Sequence, residues 1–198
     1  MRKLIVLGAV AVAIGLPTAS GAQLSLGARI AWAPALGDAS KDSPMTDAVT
    51  GQVPIQLDAS YRLTPGISAG VFLSYGFAQL AGGGCGGCSA SVTRLGVQGT
   101  YAFTEVSPRL VPWVGLGAGL EWLTLKRSVG GVPVGDDLAG FELVHVQGGV
   151  DYALGRQLAA GPYVLFSLGQ YTTEEGHAVP AKGLHEWLNL GIRGKFDL

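Results

Sequence analysis

Residues 53–63 read VPIQLDASYRL. Val53, Ile55, Leu57, Ala59, Tyr61 and Leu63 fall on one side of an extended chain, and Gln56, Asp58, Ser60 and Arg62 on the other. A helix would set Asp58 and Arg62 one turn apart but would scatter the apolar residues around its axis. A strand, with its period of two, separates the two kinds of side chain cleanly. The same alternation recurs in seven other stretches, near 24–33, 67–77, 91–103, 111–125, 139–154, 161–171 and 187–198. The 67–77 stretch carries one large exception, Phe72, on its polar side.

The composition says what surrounds these strands. Of 198 residues only 14% are charged, 48% are hydrophobic and 32 are glycine. Soluble domains carry about 25% charge and about 7% glycine, so this chain has too little charge for an ordinary water-facing surface. The hydrophobic content excludes a disordered chain, and glycine without a three-residue period excludes collagen. With 13 Lys+Arg against 14 Asp+Glu there is no electrostatic case for nucleic acid. The length suits a single domain.

Residues 1–22 have the three parts of a secretory signal. Arg2 and Lys3 form a basic start, Leu4 to Leu16 is apolar, and Ser20-Gly21-Ala22 offers small residues for cleavage after Pro17. The alternative, a membrane anchor, fails on length: that apolar run as a helix reaches about 20 Å against a hydrocarbon core of ~30 Å. The expected domain is residues 23–198. No later stretch makes a transmembrane helix, because Gly, Ser, Gln or a charge interrupts every apolar run. A closed barrel is the other structure that satisfies every backbone group in a bilayer.

Alternation alone also fits a soluble, lipocalin-type barrel. Two features favour lipid on the apolar side. The polar side is mostly Gly, Ser and Gln with a few charges, as suits a narrow lumen. The aromatics of the apolar side sit mainly at strand ends, with Trp32, Tyr75, Phe77 and Trp122 at one level and Tyr61, Tyr101, Phe103, Tyr152 and Phe196 at the other. Two such belts are the interfacial girdles of a membrane barrel. The connections alternate long and short: 34–52, 78–90, 126–138 and 172–186 are long, and 64–66, 104–110 and 155–160 are short. The expectation is an all-β, eight-stranded antiparallel up-and-down transmembrane β-barrel with loops outside and both termini periplasmic.

The strand VPWVGLGAGLEW, 111–122, resembles the proline-aromatic-valine-glycine strand common in small OmpA/OmpX-like outer-membrane barrels. The end LNLGIRGKFDL, 188–198, with Phe196 as its aromatic, resembles the C-terminal signal read by the barrel-assembly machinery. The resemblance implies an outer-membrane location in a Gram-negative envelope. It also implies outer-membrane lipid and lipopolysaccharide as surroundings, the assembly machinery as a partner in biogenesis, and no single activity.

The polar side places Arg29, Arg62, Arg94, Arg193 and Lys195 opposite Asp58, Glu121, Asp151 and Asp197, with His145 among them. Charges inside a narrow lumen require partners, so a salt-bridged plug through Arg29, Asp58, Arg62, Arg94, Glu121, His145, Asp151 and Arg193 is expected. A lumen that opens when pairs rearrange is the alternative. The loop AGGGCGGCSA, 81–90, holds Cys85 and Cys88, for which an oxidising exterior favours a local disulfide. Free thiols, or a metal site completed by His177 and His185, are the other possibilities. No serine–histidine spacing on one face suggests an enzyme, and no cofactor or metal is expected. The leading function is structural or surface-interacting; a small pore or carrier for ions or small solutes is the alternative.

Overall fold

The computed structural model describes residues 24–82, 88–107, 109–129, 132–179 and 181–198. The expected signal segment, 1–22, and Cys85 of the expected disulfide lie outside them. Eight long strands carry the fold: β1 Leu24–Ser40, β2 Val49–Arg62, β3 Ile67–Leu80, β4 Ser89–Ala102, β5 Leu110–Val129, β6 Val132–Ala153, β7 Leu158–Glu174 and β8 His185–Asp197. Each pairs antiparallel with its chain neighbours, and β8 pairs with β1 from Ser25 opposite Asp197 to Gly37 opposite His185. That last pairing closes the barrel and leaves no edge. One helical turn, Met45–Ala48, and the two-residue strands Ser43–Pro44 and His177–Ala178 decorate the long connections. Among the described residues no helix is long and apolar enough to cross a membrane.

The faces decide the solvent. Leu57, Val97 and Val146 are 58%, 61% and 53% exposed, whereas Arg29 and Asp58 are 4% and 8% exposed. A soluble barrel would show the reverse. The outer wall is a continuous apolar band, which only lipid can cover without a large cost in water. All nine predicted interface aromatics lie on this wall, eight of them exposed and Tyr61 half-buried. Tyr75 and Trp122 flank Thr93 in one hydrogen-bonded row. Tyr75 and Phe77 pack edge to face at 5.1 Å, and Tyr101 and Phe103 at 4.9 Å. From Ile67 to Phe77 a strand rises about 33 Å, and a tilt of ~40° turns this into about 25 Å, the height of a lipid-facing band.

Above the upper girdle the polarity inverts. On β4, Leu95 and Val97 face out and Arg94 and Gln98 in, but Ala90 and Val92 are buried while Ser89 is exposed. On β5, Leu123 and Leu125 are buried beyond Trp122, and Lys126 is exposed. The strands there have left lipid for water, so the apolar side turns inward. A reading that assigns the apolar face outward along a whole strand misses this change.

The long connections are also more ordered than their composition suggests. The expected loop at 126–138 is largely a two-stranded ladder that runs to Val129 opposite Val132. Part of the expected loop at 34–52 extends β1 to Ser40 and begins β2 at Val49.

Candidate functional site

Among the described residues, buried polar chemistry is concentrated in the lumen. Alternation brings all eight predicted charge-network residues to the inner wall, six of them buried and Arg62 and Arg193 half-buried. Their partners come from strands far apart in sequence.

Near the end where β1 begins and β8 ends, Asp197 accepts a hydrogen bond from Ser25 Oγ at 2.5 Å. The same carboxylate pairs with Arg62 at 3.0 Å and with Lys195 at 2.9 Å. Arg193 grips Asp151 with both Nε and Nη2, the Nε contact being 2.8 Å. Its guanidinium lies 3.4 Å from the centre of the Trp113 ring, a cation–π contact.

Deeper in, a closed ring of hydrogen bonds surrounds Asp58. Arg29 Nε donates to Oδ2 at 2.7 Å, and Gln56 and Gln98 donate to Oδ1 at 2.7 and 2.8 Å. Gln147 donates to Gln98 at 2.9 Å and accepts from Arg29 Nη1. Both oxygens of the carboxylate meet donors, which is what allows a charge to stay ionised away from water.

Arg94 does not pair with Glu121, although the two are opposite in the β4–β5 register. Its Nη1 lies 3.7 Å from Glu142 Oε2, and it donates to Ser167 at 3.4 Å and Asn189 at 3.5 Å. Glu142 also holds His145 Nδ1, and Phe72 sets its ring edge against the imidazole at 5.3 Å. Glu121 instead accepts from Tyr171 Oη at 2.6 Å and Trp187 Nε1 at 3.2 Å, and faces His185 Nε2 at 2.9 Å. His185 stacks on Tyr171 with ring centres 4.1 Å apart.

The inner-face glycines supply room for these rings. A Cβ on Gly117 would stand 2.4 Å from the His145 ring, and one on Gly169 would stand 2.5 Å from His185 Nε2. Nothing larger than glycine fits opposite either imidazole without moving it.

Above Glu121 the lumen is closed by an apolar layer. Met45, Val49, Val92, Leu123, Tyr171 and Trp187 are fully buried and belong to one cluster. Met45 comes from the helical turn of the first long connection, whose chain folds back over the barrel mouth.

Several lumen residues are not apparent from the sequence pattern. Glu142 falls on the outer side if period two is held through β6. A bulge puts Leu143 and Val144 both outward and so turns Glu142 in. Two consecutive apolar residues beside an acid, in a strand otherwise alternating, are the signal. With Glu142 the lumen holds five acids, Asp58, Glu121, Glu142, Asp151 and Asp197, against the five bases Arg29, Arg62, Arg94, Arg193 and Lys195. The sequence pattern places His185 in the last long connection; in the structure it opens β8 and is wholly buried. It is therefore turned away from the outer loops, and among the described residues no group of His, Cys, Asp or Glu is arranged to hold a metal. Trp113, Tyr163, Tyr171 and Trp187 are aromatics on the inner face, the side where period two puts them.

No protein-family model matches this chain, and no curated protein sequence matches it. Solved structures do. The crystal structure of Neisserial surface protein A superposes with a TM-score of 0.57 at 16% identity, covering 90% of this chain and 98% of that one. A major outer membrane protein from Thermus thermophilus gives 0.50 at 12% identity, covering 89% and 99%. Likeness at such low identity is likeness of fold: the chain has the closed, eight-stranded architecture of small outer-membrane β-barrels.

Proposed function

We propose that this chain is a resident of a Gram-negative outer membrane whose lumen is a plug and whose work falls to its lipid-facing wall and outer loops. The observation that carries the reading is the apolar layer around Met45, Leu123 and Trp187 stacked on a paired charge network. Gln52, buried in register with Ala33 and Ala78, is the polar side chain at this level with unpartnered amide atoms among the described residues. An ion crossing the layer would exchange its water shell for little more than that one amide, a cost of several kcal/mol. Both termini and the three short turns then face the periplasm, and the long connections face outward, in contact with lipopolysaccharide. Outer-membrane lipid covers the wall, and the barrel-assembly machinery inserts the chain. The role is structural or surface-interacting.

The reading includes no catalytic step. His145 and His185 each face a glutamate, and among the described residues neither has a serine, threonine or cysteine partner. Pure protein in a planar lipid bilayer is expected to give no stable conductance. Reproducible channel steps would replace the sealed barrel with the alternative, a small pore or carrier for ions or solutes.

A further inference from the structure

The lumen is not filled along its whole length. Below the Arg29–Asp58 pair lies a chamber of about 250 Å³. Turn residues Pro65, Gly66 and Arg156 line it together with Lys195 and Asp197, so it opens at the end of the barrel where β1 begins and β8 ends. A water occupies about 30 Å³ in the liquid, so the space admits a small solute but no drug-sized ligand.

The lining is unbalanced in charge. It carries the cations Arg29, Arg62, Arg156, Arg193 and Lys195, and only the carboxylates Asp58, Asp151 and Asp197. Two of those carboxylates are each held by one arginine, and Asp197 is shared between Arg62 and Lys195. Arg156, on the turn after β6, makes no ion pair among the described residues.

A second observation points the same way. Trp113 is buried in the chamber wall, and its indole N–H has no hydrogen-bond partner among the described residues. The other buried side-chain atoms in that condition lie on residues outside the chamber lining. The chamber thus offers surplus positive charge and the hydroxyls of Ser60, Ser68 and Thr100, with an indole N–H that lacks an acceptor buried in its wall. An oxyanion meets both demands at once, because it brings negative charge and several acceptor oxygens.

We infer that the chamber is a binding site for a small phosphate-type oxyanion entering from the end where β1 begins and β8 ends. That it is a dead end, rather than the vestibule of a channel, rests on the sealed-barrel reading above. Phosphate could come free in solution or on a lipid headgroup.

The test uses the full barrel, isotopically labelled with ¹⁵N, in maltoside micelles, which contain no phosphate. The indole N–H resonance of Trp113, assigned by its loss in Trp113→Phe, is followed while inorganic phosphate replaces chloride at constant ionic strength. A saturable shift is expected. Arg156→Gln, at an exposed turn that the barrel does not need, is expected to weaken the apparent affinity by about threefold, the size of one exposed charge contact. Phosphatidylglycerol added to phosphate-free micelles separates the sources. A shift there assigns the site to a headgroup, and a shift with inorganic phosphate alone assigns it to a free solute. No shift with either, or the same shift with chloride, overturns the proposal. So does an affinity unchanged in both Arg156→Gln and Lys195→Gln. Conductance in a bilayer with phosphate binding intact would defeat the dead end and leave the site standing; a silent barrel that ignores phosphate would defeat the site alone.

Discussion

Glu142 and His145 stand three residues apart on one strand and still meet inside the barrel, because the two residues between them, Leu143 and Val144, both face lipid. A regular strand would have put the pair on opposite faces. The bulge therefore does two things: it keeps a carboxylate out of the hydrocarbon, and it gives Arg94 and His145 a common anion.

Replacing Glu142 with leucine leaves Arg94 and His145 facing an apolar side chain in a closed lumen. The expected loss is about 3–5 kcal/mol, the cost of stranding a buried charge. Glu142→Gln keeps the shape and one acceptor and is expected to lose less. Urea unfolding from lipid vesicles, followed by tryptophan fluorescence, measures both; an unshifted midpoint in Glu142→Leu would show that Arg94 draws its compensation elsewhere.

Asp58 collects three donors, so Asp58→Ala is expected to destabilise the barrel by about 3–5 kcal/mol. The double variant Arg29→Met with Asp58→Ala removes both halves of the pair. It is expected to fall short of the summed single losses by about 0.5–3 kcal/mol, as residues in one network do. Strict additivity in the same unfolding assay would argue that the 2.7 Å contact contributes nothing specific.

The inversion of polarity at the upper girdle predicts depth dependence. Val97 faces out in the middle of the band, and Thr124 lies on the outer side beyond Trp122. Val97→Arg is expected to cost about 2–4 kcal/mol and Thr124→Arg about 0–1, because only the first puts a cation in hydrocarbon. Equal costs would mean that the lipid boundary does not lie at Trp122.

Met45 anchors the first long connection to the barrel mouth. Met45→Ala removes most of that anchor, and a buried truncation of this kind costs about 2–5 kcal/mol. Because the loss falls on local opening, the expected signs are faster proteolytic cleavage within 41–48 and an unchanged heat-induced gel shift of the barrel. Cleavage at the wild-type rate would show that the turn is held without its methionine.

Much of this protein is legible in its sequence, for a simple reason. Which face of a strand a side chain takes depends only on its position and on the solvent beside it. Residues 53–63 therefore already separate Leu57 from Asp58, and the aromatics from Trp32 to Phe196 mark where lipid ends. The number of strands and the order of long and short connections follow from the same local rule.

Partnership is not local, and the tertiary structure alone decided it. Arg94 and Glu121 are neighbours in register yet answer to different groups, because Tyr171, His185 and Trp187 from the far wall reach Glu121 first. Glu142 entered the lumen through a one-residue bulge that period two cannot express. Met45 became part of the seal because the chain folds back over the mouth and the strands above the girdle stand in water, where the inside is the place to bury an apolar side chain. Sequence determined which solvent each stretch meets; closure of the barrel determined which charges meet each other, since it sets side chains separated by up to 172 residues within hydrogen-bonding distance.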